Sequence, residues 1–132
     1  TSKVCERIAP SLGRNTALQY LGLQWNAVGD AGGIALGHNL CRSVPTQLTH
    51  RRLSYTTVVQ EPGLQTLELS RCGVAERGTM VIADMLIENR TLSSLVLDDN
   101  PVGKRGGRAI LRALRSIVGS LGGGHFRESW ET

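Results

Sequence analysis

Chemistry needs particular side chains at particular intervals, and the chain of 132 residues offers three histidines and three cysteines to begin with. His38, His50 and His125 stand at no paired ligand spacing, and Cys5, Cys41 and Cys72 form no C-x-x-C pair. No G-x-S-x-G nucleophile turn and no phosphate-cradling glycine loop occurs, so no catalytic residue, metal ligand or cofactor is assigned. An odd, dispersed set of cysteines reads as free thiols in a reducing, intracellular compartment. The side chains with chemistry to offer are of another kind: Tyr20, Trp25, Glu68, Arg71, Asp98 and Asp99. Aromatic rings and arginine are the groups that most often anchor protein interfaces. A second set, Lys104, Arg105, Arg108, Arg112 and Arg115, is uniformly basic. A third is the R-R-x-S run of residues 51–54, the pattern of a basophilic kinase site, where a phosphate on Ser54 would pair with the adjacent arginines.

What positions the first set is a stretch written twice, 28 residues apart. Aligning residues 64–91 with 92–119 matches Leu64/Leu92, Leu67/Leu95, Leu69/Leu97, Cys72/Asn100, Val74/Val102, Gly78/Gly106, Ile82/Ile110 and Leu86/Leu114. A third copy opens at Leu18 and carries Leu21, Leu23, Asn26, Val28, Gly32, Leu36 and Leu40 at the same positions. Counting the first Leu as position 1, x-L-x-L predicts a short strand, and positions 15, 19 and 23 predict one buried helix stripe. One period upstream these positions fall on Val4, Ile8 and Leu12, so residues 3–14 are expected to be the helix of a unit whose strand lies before Thr1. About three and a half units result, near the minimum at which stacked repeats hold together.

The step from Leu18 to Leu64 is 46 residues, one period plus 18. The excess lies within residues 41–63, bounded by Pro45 and Pro62, and is expected to loop out while the strands at Leu21 and Leu67 still pair. Closing the longer loop costs only about 1.2 kcal/mol more. After Leu114 the last helix is expected to run to about Val118, with residues 119–132 a glycine-rich flexible tail. Domain organisation is therefore one repeat domain over 1–118, its insertion within 41–63, and the tail.

Position 9 is polar amid apolar neighbours. A buried amide at Asn26 or Asn100 can bond the backbone groups left by the turn, and Cys72 is a small buried substitute. The glycines at 32, 78 and 106 are read as room for the helix to pack on the sheet. The 28-residue period, the Asn/Cys alternation and the V-G-D-x-G run of residues 28–32 together resemble the ribonuclease-inhibitor-like leucine-rich repeats, a class that includes NOD-like receptors and the Ran GTPase-activating protein. The resemblance covers about residues 3–118 apart from the insertion. It implies an α/β solenoid with a curved parallel sheet inside and helices outside, and a non-enzymatic, cytoplasmic module that grips a protein partner. The alternatives it carries are a GTPase-activating protein, with Arg71 and Asn100 as candidates, and a ligand-sensing fragment of a NOD-like receptor.

The exposed sheet columns are then legible. Position 3 holds Tyr20, Thr66 and Ser94; position 5, Gly22, Glu68 and Val96; position 7, Gln24, Ser70 and Asp98; position 8, Trp25, Arg71 and Asp99. Partner binding is placed on Tyr20, Trp25, Glu68, Arg71, Asp98 and Asp99. The competing expectation for Trp25 is that it folds over its own rim to cover core. The basic helix face is preferred as a solvated surface over a contact for nucleic acid, acidic protein or an anionic membrane surface, since the inner face is acidic to neutral and no aromatics interleave with its arginines. The longest apolar runs fall far short of the roughly 20 residues a membrane span needs, and the low aromatic content, 4%, leaves the core to Leu, Ile, Val and Ala. The chain reads as a fragment of a longer protein.

Overall fold

The structure, a computed structural model, describes residues 2–41 and 63–120. Residues 42–62, which hold most of the insertion with Ser54, and residues 121–132 of the tail lie outside them. In chain order the elements are α1 (Ser2–Leu12), β1 (Tyr20–Gly22), α2 (Gly29–Leu40), β2 (Thr66–Glu68), α3 (Glu76–Glu88), β3 (Ser94–Val96) and α4 (Gly103–Ser120). Strands three residues long, joined through helices, leave one sheet arrangement: parallel, in the order β1-β2-β3. Register follows the repeat, Leu21 against Leu67 and Leu67 against Leu95, so the strands flanking the insertion pair as expected.

Alternation across each strand sends its leucines towards the helices. Leu67 and Leu69 of the central unit are fully buried, with Leu36, Val74 and Ile82 beside them, while Leu21, Leu23, Leu95 and Leu97 of the flanking units are partly covered. Each helix packs on the next, α1 on α2, α2 on α3 and α3 on α4. The flanking amides continue the ladder beyond the strands. Leu23 N–H donates to Glu68 O (2.9 Å), Trp25 N–H to Ser70 O (3.0 Å), Leu69 N–H to Val96 O and Arg71 N–H to Asp98 O (both 2.9 Å).

Burial corrects the expected helix stripe within α3, where Met85 is buried and Leu86 only partly covered, and more strongly at both ends. In α1 the buried residues are Cys5 and Ala9, whereas Val4 is 54% exposed and Ile8 and Leu12 are only partly covered. Positions 15 and 19 face a unit's own strand, and α1 has none; positions 16 and 20 face the next helix, and α1 has that. In α4 the reverse holds, since Gly106 is buried and Ile110 partly covered over β3, but Leu114 is 48% exposed. α4 also extends to Ser120, two residues beyond the expected end at Val118.

The glycines at position 15 answer to neighbouring helices and loops more than to the sheet. A Cβ on Gly32 would lie 2.7 Å from Val28 Cγ1 and 3.2 Å from Cys5 Cβ; on Gly78, 2.8 Å from Asp30 Oδ1; on Gly106, 3.0 Å from Thr79. No described helix is long and apolar enough to cross a membrane.

Candidate functional site

Position 8 is where the backbone leaves the strand, and it leaves in the same unusual way three times. Trp25 (φ 66°), Arg71 (φ 54°) and Asp99 (φ 55°) all occupy the left-handed region. Asp tolerates that conformation, but for bulky side chains such as Trp it is a strain of order 1–3 kcal/mol. The ladder bonds of Trp25 and Arg71 hold it in place. The consequence is a column of side chains one strand spacing apart. The Arg71 guanidinium lies 4.3 Å from the centroid of the Trp25 ring, and its Nε donates to Asp99 Oδ2 at 2.7 Å.

These contacts are open to water. Trp25 is 72% exposed, so it does not fold over its own rim to cover core, and it stands on the Arg71 plane instead. An exposed cation–π contact contributes about 0.5–1 kcal/mol and an exposed ion pair about 0–1 kcal/mol. Their sum barely offsets the backbone strain, so stability alone does not account for the column.

A second pair lies on the same sheet face. Tyr20 on β1 reaches diagonally across to β2, where its hydroxyl donates to Glu68 Oε2 at 2.6 Å. That bond holds the phenol proton and pushes the Tyr20 pKa above its ordinary value, with partial desolvation adding to it. Gly22 makes the crossing possible: a Cβ there would lie 2.7 Å from Gln24 Oε1 and 3.0 Å from the Tyr20 hydroxyl. Gly22 and Gln24 were not among the expected site residues. The available signal was an exposed glycine two residues after an aromatic, with an acid at the same position in the next copy. Of the six expected residues, Tyr20 joins Glu68 and Trp25 joins Arg71 and Asp99; Asp98 is exposed beside them, its backbone carbonyl serving Arg71.

Position 9 anchors this face from beneath. The Asn100 side-chain amide donates to Leu69 O (2.7 Å), Leu97 O (2.9 Å) and Asp98 O (3.1 Å), and its Oδ1 accepts from Cys72 N–H and Val74 N–H at 3.0 Å each. All its capacity is committed to backbone, which leaves Arg71 alone of the two residues considered for nucleotide chemistry. Cys72, 1% exposed, does in the unit before it part of what Asn100 does, its thiol donating to Leu23 O at 2.9 Å. Burial pushes that thiol's pKa up, as expected of a structural rather than a reactive cysteine. Asn26 departs from the expected buried amide: it is exposed, and its side-chain amide donates to Leu23 O and Gln24 O of its own unit. α1 brings no preceding loop for it to reach.

A carboxylate outside the expected set links the units. Asp30, at position 13 of α2, accepts from Ala75 N–H (2.9 Å) and Gly78 N–H (2.8 Å), the two amides a capping box would satisfy at the start of α3. Ala75 itself has no capping side chain. One unit on, Glu76 accepts from Arg105 N–H at 3.2 Å at the start of α4. His38 is exposed on α2, and His50 and His125 lie outside the described residues.

The fold and the position-9 chemistry define a protein class, and the comparisons agree on it. A family profile described as "Leucine Rich repeat" matches residues 14–37 and 88–111. The chain is similar to the ribonuclease inhibitor of Mus musculus, 30% identical over 113 residues, covering 84% of this chain and 21% of that protein. It is similar also to NACHT, LRR and PYD domains-containing protein 12 of Mus musculus, 30% identical over 118 residues, covering 86% of this chain and 9% of that protein. To protein 3 of that name, also from Mus musculus, it is 29% identical over 123 residues, covering 92% of this chain and 10% of that protein. Among solved structures, leiomodin-1 actin-binding site 2 shares the fold, with a TM-score of 0.65 at 18% identity over 88% of this chain and 58% of that one. The chain belongs to the leucine-rich repeat family. Its repeats are of the ribonuclease-inhibitor-like kind, and it spans about a fifth or less of the length of these curated relatives.

Proposed function

We propose that the chain is a non-catalytic protein-binding module, its units stacked as a solenoid whose concave sheet face takes the partner through Tyr20, Trp25, Glu68, Arg71, Asp98 and Asp99. The observation that carries this is the position-8 column: a strained, exposed Trp25 held on Arg71, itself held by Asp99. Side chains already ordered lose less freedom when a partner arrives, and Trp, Tyr and Arg are the usual hot-spot residues. Three carboxylates to one guanidinium among the six make the face acidic, so it suits a partner that brings lysines or arginines beside apolar groups. The odd, dispersed set of Cys5, Cys41 and Cys72 supports an intracellular setting.

The test replaces Trp25 and Arg71 together by Asn, which accepts a left-handed backbone. Immobilised chain and double variant are compared for partner capture from cell extract, alongside thermal unfolding of each. Loss of captured protein with an unchanged or raised Tm is expected. Equal capture by a variant of equal Tm would remove this face from the binding surface.

A further inference from the structure

The residues that the next helix covers can be followed unit by unit. At positions 16 and 20 they are Cys5 and Ala9 of α1, Gly33 and Gly37 of α2, Thr79 and Ala83 of α3, all buried. The fit is close, since a Cβ on Gly37 would lie 2.8 Å from Val81 Cγ1 and 3.1 Å from the Val81 backbone. The corresponding stripe of α4 is Gly107, Leu111 and, at position 23, Leu114, with Val118 a turn further. It stands uncovered among the described residues, with Leu111 46%, Leu114 48% and Val118 41% exposed.

Two substitutions set this stripe apart from its equivalents. Position 20 is Ala, Gly and Ala in the first three helices and Leu111 in the fourth. Position 13 is Asp30 and Glu76 where a carboxylate serves the start of the next helix, and Lys104 here. A further helix at the same spacing would collide with the Leu111 side chain, and its first amides would meet an ammonium group, which cannot accept a hydrogen bond. The face keeps the shape of a helix-docking ridge but not the terms on which α2 and α3 accept a neighbour. Along its open edge Lys104, Arg108 and Arg112 recur every fourth residue, all exposed, and α4 carries no acid.

We propose that the open face of α4, Leu111, Leu114 and Val118 edged by Lys104, Arg108 and Arg112, docks an acidic amphipathic helix of a partner protein. The leucines and valine take the partner's apolar stripe, and the three cations meet carboxylates along its flank. Leu111 in place of alanine sets a wider separation than exists between α2 and α3, suited to a partner helix with larger side chains. This surface is separate from the sheet face and independent of it.

The probes are two labelled synthetic helices with leucines at i, i+4 and i+7, one flanked by glutamates and its twin by lysines. Each is titrated into the full chain and followed by fluorescence anisotropy. The glutamate helix is expected to bind about tenfold or more tightly than its twin at low salt. Leu111→Gln, and separately Arg108→Glu with Arg112→Glu, should each weaken it about tenfold without changing Tm, because all three side chains are exposed. Trp25→Asn with Arg71→Asn should leave this binding unchanged, so failure on one face is not read as failure on the other. Equal affinity for the two helices overturns the proposal. So does binding to phosphatidylserine vesicles without binding to the glutamate helix, or a concentration-dependent dimer that Leu111→Gln abolishes.

Discussion

At Tyr20 one hydroxyl proton ties two strands together on the open face. Because its bond to Glu68 favours the neutral phenol, the Tyr20 pKa is raised, and the contribution is intact below the ordinary tyrosine value of about 10 and lost as pH rises through the raised one. With Tyr55 changed to Phe to leave a single reporter, absorbance titration should show Tyr20 ionising above the ordinary range, and Glu68→Gln should bring it back down. At position 9 the three equivalent residues carry unequal loads. Asn100→Ala strips partners from three carbonyls and two amides, of which Leu69 O and the Cys72 and Val74 amides belong to the preceding unit, and should cost about 3 kcal/mol, whereas Asn26→Ala, losing bonds within one exposed turn, should cost about 1 kcal/mol. Urea unfolding of the two variants side by side checks the ratio. That position 9 serves the backbone was legible, because a polar residue recurring in an apolar frame has only main-chain groups within reach to bond. The posture of Trp25 was not, because nothing in its residue type announces a left-handed backbone; the turn imposes it, and only the neighbouring Arg71 gives the ring a plane to rest on.

Among the elements, α3 depends for its start on a side chain from α2. Asp30→Ala would leave the Ala75 and Gly78 amides without their acceptor and should lower stability by about 1 kcal/mol, with Asp30→Asn losing less. Hydrogen exchange at those two amides, compared with amides in mid-helix, distinguishes local fraying at α3 from general loosening. The Asp in V-G-D-x-G was visible in the sequence as part of a motif, but its target lies 45 and 48 residues away across the insertion, and periodicity cannot show which neighbour a side chain serves. The same limit explains the shifted helix stripes. A 28-residue period fixes which residues are equivalent, and burial then depends on what stands beside each helix. Cys5 and Ala9 are covered because α2 is there, and Leu114 is open because nothing equivalent flanks α4 among the described residues. The pairing and register, set by repeated leucines, are as expected, although each strand is three residues long and stops before the second leucine of x-L-x-L.

For the whole molecule, the packing of each helix on the next makes coverage of one unit depend on its neighbours, and the central unit, holding Leu67, Leu69, Val74 and Ile82 at full burial, is the common support. The thiols report on this. Cys5 and Cys72 are 3% and 1% exposed, and burial raises both pKa values, so near the ordinary thiol value of about 8.5 they stay protonated and shielded. Cys41 is less covered. A thiol reagent should therefore modify Cys41 first, and in a urea series Cys5 and Cys72 should become reactive together at the unfolding midpoint; separate midpoints would mean that α1 detaches before the centre opens. The carboxylate bridge from one unit to the next helix adds a polarity to the chain. Acceptors are lent forwards, from Asp30 to the start of α3 and from Glu76 to the start of α4, so trimming from opposite ends is not equivalent. Removing α4 with its strand takes away a borrower and leaves the start of α3 served, while removing α1 to α2 takes away a lender and strips the start of α3. A nested series of deletions should thus tolerate loss from the far end better than loss from the near one, and a protease that clips between Leu40 and Leu64 would sever the two halves in sequence while Asp30 still holds them in space.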